Sequence, residues 1–304
     1  MAVVLLAGGT GGAKLACGFR DLLHDGLTVI ANTGDDIEIY GAYVSPDPDL
    51  ATYRLAGALD DRGYGIAGDS HDAMASLKAA GEDVWFTLGD RDLDVCRKRA
   101  VALAVGRTLT QAHAEVTAEF DTGGATVLPM SDDLVRTEVQ TADGWRGLQQ
   151  FLILDGANVP IKAVRFVGAQ SAKMTDQVRT AVLEADLIVV GPSNPIISIG
   201  PILAVPGLAE LIIQAPAPVV AVSPFVSGRA VKGPTEAFMA AAGWPEGPEG
   251  IVAAYRGLID GLVTDQPVDL IPNLVTDVLI DNDTAAQRLA TEMIEFGKTL
   301  VGGR

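Results

Sequence analysis

Short apolar runs alternate with amphipathic stretches along most of this chain. VVLLA near the start, TVIAN at 28–32, ATVLP at 125–129, KAVRFVG at 162–168, DLIVVGP at 186–192 and PVVAVSP at 218–224 are brief and rich in β-branched residues. Several are apolar at every position, which predicts strands buried on both faces of a mostly parallel sheet. Between them, helical spacing of apolar positions predicts helices over 11–23, 50–59, 70–80, 110–120, 172–185, 235–242 and 284–300. No strand pattern stands out between residues 50 and 122, where the runs are helix-like.

The expected fold class is α/β: a Rossmann-like three-layer sandwich with a mostly parallel sheet. We expect one domain over residues 1–304, with 50–122 as an inserted, mainly helical lobe over the carboxyl edge of the sheet. The apolar segment at 201–225 is interrupted by prolines and Glu210 before reaching the ~20 residues of a membrane span. It reads as a loop, a short helix and a buried strand.

With 304 residues and 48% hydrophobic content the chain can bury a large core. Its formal charge of −17, from 22 basic and 39 acidic residues, argues against nucleic acid as a partner. An anionic ligand must then be held locally, by a few cations, backbone amides or a metal ion. Cys17 and Cys96 are too few and too far apart for a disulfide framework or a zinc site and are expected to be buried thiols. With no basic segment typical of a secretory signal, these features predict a cytoplasmic protein without a membrane partner.

In such folds ligands gather beyond the carboxyl ends of the strands, so the following loops carry the candidate chemistry. Gly8-Gly9-Thr10-Gly11-Gly12-Ala13-Lys14 follows a strand and opens a helix, where amides and the helix dipole favour a phosphate. It matches neither a dinucleotide fingerprint nor a P-loop, and a tight turn for close packing would use the same glycines. Asn32-Thr33-Gly34-Asp35-Asp36 and Ser45-Pro46-Asp47-Pro48-Asp49 put four carboxylates within fifteen residues, a donor set suited to Mg²⁺ beside substrate phosphates. Helix capping by Asp49 and solvated turns are the plainer alternatives.

Gly89-Asp90-Arg91-Asp92-Leu93 offers a guanidinium for a diphosphate or for surface ion pairs. Pro129-Met130-Ser131-Asp132-Asp133, with Arg136 beyond it, is another polar loop after a strand. Ser193, Asn194 and Ser198, set among prolines, offer fixed hydrogen-bond groups for a base, ribose or phosphate. Ser223-Pro224 and Lys232 end the next strand in a similar way. His24, His71 and His113 lack metal-ligand spacing.

Taken in order, LAGGTGGAKL, NTGDD, YVSPDPDLATYRLAG, WFTLGDRDL, LPMSDD, GPSNPIISIGPIL, AVSPF and KGP resemble the 2-phospho-L-lactate transferase (CofD/FbiA) family of coenzyme F-420 biosynthesis. The resemblance implies transfer of a phospholactyl-type group (phospholactate, phosphoenolpyruvate or phosphoglycerate) from a guanosine diphosphate-linked donor. The acceptor would be the ribityl hydroxyl of the deazaflavin Fo, with release of GMP, and the enzyme a homodimer. On this reading Gly8, Gly9, Thr10, Gly11, Gly12, Lys14, Ser193, Asn194 and Ser198 bind the donor. Asp35, Asp47 and Asp49 hold Mg²⁺; Asp35, Asp36 and Arg91 are catalytic; and Asn32, Asp49 and His71 face the acceptor.

The chain departs from the family at Tyr64-Gly65 in place of a tryptophan-glycine pair, and at GDSHDAM, where His71 stands alone in a usually histidine-rich stretch. A nucleotide-sugar-binding regulator of the YvcK type shares the glycine loop but differs at GDDIEIYG and lacks a good GDRDL. A sugar nucleotidyltransferase would require a Pro-Lys pair soon after the loop, and none follows.

Overall fold

A computed structural model describes residues 1–60, 62–231 and 233–301. In chain order its strands are β1 (Val3–Ala7), β2 (Leu27–Ala31), β3 (Ile37–Ile39), β4 (Ala42–Val44), β5 (Thr126–Pro129), β6 (Arg136–Thr141) and β7 (Gly144–Gly147). Then follow β8 (Ala163–Val167), β9 (Leu187–Val190), β10 (Val219–Val222), β11 (Phe225–Val226), β12 (Arg229–Ala230), β13 (Gly261–Thr264) and β14 (Asn273–Val275). Seven of them form one sheet in the order β14-β13-β10-β9-β1-β2-β5, and every pairing in it is parallel. The chain builds outward from β1 through β2 to β5, then returns to β9 on the other side of β1. The loops after β1 and β9 therefore diverge to opposite faces and leave a crevice at their carboxyl ends, the place where such sheets bind ligands.

Alternation along β1 explains the three layers. Val3 and Leu5 pack with Leu15 and Phe19 of α1 (Gly9–Leu23) and Leu289 and Met293 of the helix Asp283–Leu300. Val4 and Leu6 face the opposite layer, with Phe151, Val178, Val182 and Ile212. Every residue of β1 is buried, and each fully buried aliphatic side chain contributes about 1.5–3 kcal/mol, which fixes both faces at once. The close crossing of α1 with the last helix depends on Gly18, where a Cβ would lie 2.2 Å from the Ala286 carbonyl oxygen.

Between β2 and β5 the chain forms the β3–β4 hairpin and the helices α2 (Pro46–Leu55), α3 (Asp72–Ala79), α4 (Asp90–Ala104) and α5 (Leu109–Thr117). Helix α2 begins before the expected Leu50 because Pro46 sits in its first turn, where a missing N–H costs nothing. The GDRDL segment, expected as a loop, opens α4.

One strand assignment needs correction. KAVRFVG belongs to β8, which pairs antiparallel with β6 in a separate sheet ordered β7-β6-β8. Its residues are only partly covered, so one solvent-facing side replaces the double burial expected of a parallel strand. Strands β13 and β14 were not expected: GLVT and NLV are too short to show a period, and pairing defines them. No described helix is long and apolar enough to cross a membrane.

Candidate active site

A cavity of about 300 Å³ opens at the β1/β9 crevice. Gly8, Gly9, Thr10, Gly11 and Lys14 form one wall; Ser193, Asn194 and Ser198 form another; Asp35 and Asp47 close a third. Leu152, Ile197, Val278 and Ile280 add an apolar side that the sequence had not marked. A second, more polar cleft of about 450 Å³ adjoins it through Thr10 and Lys14 and is bordered by Arg54 and Arg62.

The glycine loop does two separate jobs. Gly9 has φ +70° with nothing near its missing Cβ, so its glycine serves backbone conformation. Gly11 and Gly12 serve packing: a Cβ on Gly11 would stand 2.3 Å from the Pro192 carbonyl oxygen, and one on Gly12 would stand 2.6 Å from the Ala7 Cβ. Gly8 leaves room for Ser198 and Asp47, whose nearest atoms would stand 2.6 and 3.0 Å from an added Cβ. The Gly9 amide at the start of α1 donates to Asp47 Oδ1 at 2.6 Å. Lys14 Nζ donates to the Ile280 carbonyl at 2.8 Å, which ties α1 to the segment before the last helix.

Asn32, fully buried at the end of β2, organises the acids. Its Nδ2 donates to Asp35 Oδ1 at 2.7 Å and to Asp47 Oδ2 at 2.9 Å, while its Oδ1 accepts from the Gly34 amide at 2.7 Å. One amide thus holds two carboxylates from different elements against the cavity. Burial, and then the neighbouring Asp47 charge, raise Asp35 well above the usual carboxylate range. Burial raises Asp47 to about 6 against the pull of Asn32 and the Gly9 amide. Two crowded, desolvated carboxylates facing a glycine loop fit a hard divalent cation, which favours oxygen donors.

The other predicted acids lie elsewhere. Asp36 does not line the cavity; its Oδ1 accepts from Ser45 Oγ at 2.9 Å, and burial, opposed by Arg136, raises it to about 7. Asp49, expected as a metal ligand and near the acceptor, also stands apart. It is clasped at both oxygens by Arg99, a buried residue of α4 that sequence reading passed over. A trace of Arg99 was visible, since Leu93, Cys96 and Arg99 recur at the spacing of one buried helical stripe. His113 of α5 meets the same cluster, 3.2 Å from Thr52 Oγ1 through Nε2. That hydroxyl gives its proton to the Pro48 carbonyl at 2.9 Å. Burial, and then Arg99, push His113 down to about 3.

Arg91 and His71 are not among the cavity-lining residues. Arg91 is exposed on the first turn of α4, with Nη1 3.4 Å from the Ala67 carbonyl oxygen. Its neighbours cap helices reciprocally. Asp69 accepts from the Arg91 and Asp92 amides at the start of α4, and Asp90 accepts from the Asp72 and Ala73 amides at the start of α3. His71 immediately precedes α3. Asn194 lines the cavity but spends its Oδ1 on the Ile196 and Ile197 amides, at 2.9 and 3.2 Å. In the Pro129–Asp133 loop, Asp132 accepts from the Thr110 amide and Asp133 from the Lys173 amide, so this loop joins elements of the scaffold. Lys232 lies outside the described residues.

The sequence model of the CofD family, described as 2-phospho-L-lactate transferase, matches residues 3–295. A phosphoenolpyruvate transferase of Kitasatospora aureofaciens is 37% identical, the alignment covering 98% of this chain and 100% of that protein. A 2-phospho-L-lactate transferase of Methanopyrus kandleri is 36% identical over 99% of each chain. Among solved structures, a UPF0052 family member from Bacillus halodurans shares the fold, with a TM-score of 0.62 and 17% identity over 96% of this chain and 98% of that one. Given the match over almost its whole length and the identity to curated transferases, the chain belongs to the CofD 2-phospho-L-lactate transferase family and is an enzyme.

Proposed function

We propose that this enzyme transfers a phospholactyl- or phosphoenolpyruvyl-type group from a guanosine diphosphate-linked donor to the terminal ribityl hydroxyl of Fo in coenzyme F-420 biosynthesis. The hydroxyl oxygen forms a new bond to the phosphorus that carries the acyl group. The bond from that phosphorus to the GMP phosphate oxygen breaks, GMP departs, and the hydroxyl proton is released to water. Phosphoryl transfer asks mainly for positioning and charge neutralisation. The observation that carries this reading is the convergence of Asp35 and Asp47, through one Asn32 amide, on a cavity walled by the glycine loop.

On this reading Asp35 and Asp47 hold Mg²⁺, which when bound offsets the charge of the two carboxylates and of the diphosphate. The start of α1 and Ser193 and Ser198 orient the donor phosphates. The apolar side at Ile197, Val278 and Ile280 suits a flat ring, and the adjoining cleft with Lys14, Arg54 and Arg62 suits an anionic end. Residues 50–122 act as a lobe over the carboxyl edge of the sheet, and the enzyme works as a homodimer, which sedimentation would test.

The deciding experiment incubates purified protein with Fo, Mg²⁺ and, separately, guanosine diphosphate-linked phospholactate, phosphoenolpyruvate and phosphoglycerate. Mass spectrometry is expected to detect GMP and a phosphoacyl-deazaflavin with one donor, which also identifies the substrate. Nucleotide binding without product from any donor would sink the reading in favour of a binding protein without turnover.

A further inference from the structure

Arg99 is fully buried on α4 yet grips the segment that carries Asp47. Its Nη1 donates to the Tyr43 carbonyl at 3.1 Å and to Asp49 Oδ2 at 2.9 Å, and its Nη2 donates to Asp49 Oδ1. These anchor points bracket residues 44–48, and inside the bracket lies Asp47, whose two oxygens meet the Gly9 amide and Asn32.

Besides Arg99, the bracketed turn is held by the pairing of Val44 with Ile37 and by the Thr52 hydroxyl, which donates to the Pro48 carbonyl at 2.9 Å. Pro46 and Pro48 carry no N–H. Ser45, placed to cap α2, gives its hydroxyl proton to Asp36 instead. The backbone bond that begins the helix runs from the Asp49 amide to the Ser45 carbonyl at 3.1 Å. A bidentate guanidinium–carboxylate pair fixes orientation as well as distance. Stability alone is a poor reason for the pair, since a buried ion pair is often matched by apolar side chains of similar volume. What the guanidinium supplies that an apolar contact cannot is direction, toward two acceptors at once.

We infer that Arg99 is a positioning residue: by clamping residues 43 and 49 from α4, it sets where the Asp47 oxygens stand at the cavity wall. It touches no ligand itself, and its bearing on a cation rests on the reading of Asp35 and Asp47 given above.

The test compares the intact wild-type chain with Arg99→Lys and with the double variant Asp49→Leu/Arg99→Met, which removes both charges of the buried pair together. Three quantities are followed: the melting temperature, amide exchange at Gly9 by NMR, and Mn²⁺ affinity by titration. The double variant is expected to fold with a similar melting temperature, to exchange the Gly9 amide at least about 10-fold faster, and to bind Mn²⁺ about 10-fold more weakly. Arg99→Lys should fall between, because one ammonium cannot hold both Asp49 oxygens and the Tyr43 carbonyl.

A folded double variant with unchanged Gly9 exchange would overturn the inference. Loss of the fold in both variants would also overturn it, in favour of a purely structural role. If the wild type binds no Mn²⁺ while Gly9 exchange still rises in the double variant, the cation reading fails and the positioning inference stands.

Discussion

The carboxylate pair at Asn32 stores repulsion that a ligand can relieve. Asp35 and Asp47 share one amide donor in a desolvated corner, so removing one charge should stabilise the empty protein even as it removes function. Asp35→Asn is expected to raise the unfolding free energy of the metal-free enzyme by about 1 kcal/mol. The same change should lower turnover by about 100-fold or more, measured by chemical unfolding and product formation side by side. The two kinds of glycine separate in the same manner. Gly9→Ala should cost about 1–2 kcal/mol, for its left-handed backbone alone. Gly11→Ala should cost about 1–3 kcal/mol and also push the Pro192 loop off its place; on the function proposed above it abolishes nucleotide binding in a calorimetric titration.

Among the elements, the packing of α2, α4 and α5 around Asp49, Arg99 and His113 makes this region sensitive to acid. His113 titrates near 3 in the folded chain against about 6.5 unfolded. Between those values the unfolded chain binds the extra proton, so this contribution is complete above about 6.5 and is lost as pH falls toward 3. Asp36 acts in the opposite sense: its folded value of about 7 makes its contribution decline as pH rises from 3.8. His113→Gln isolates the first effect. Its unfolding free energy should fall less than that of the wild type between pH 7 and pH 4, as urea titrations at both values would show. Helix α4 also shows why GDRDL misleads when read as a loop: Asp69 and Asp90 cap helices across a chain reversal, and only folding pairs them.

For the whole molecule, the charge of −17 opposes the approach of any anionic nucleotide to a site with few cations. On the function proposed above, added salt should therefore speed association: the on-rate for GDP in stopped flow is expected to rise about twofold from low salt to ~0.15 M NaCl, where charges are screened beyond ~8 Å. A falling rate would show that Lys14, Arg54 and Arg62 dominate the local field. The sequence by itself determined the layers of this molecule and the sheet edge at which its glycine loop lies. Runs apolar at every position, such as VVLLA and DLIVV, can be buried on both faces only inside a covered parallel sheet. A glycine loop between a strand and a helix has to lie at that sheet's carboxyl edge. It also carried the family, through the order of its loop motifs. Tertiary structure alone decided which polar residues meet. Asp47 and Asp49 are two positions apart in one short turn, yet Gly9 and Asn32 hold the first at the cavity while Arg99, fifty residues beyond the second, draws the other into a buried pair. Two positions apart in the first turn of a helix, the pair must point to different sides, but which of the two faces the cavity is set by partners distant in sequence.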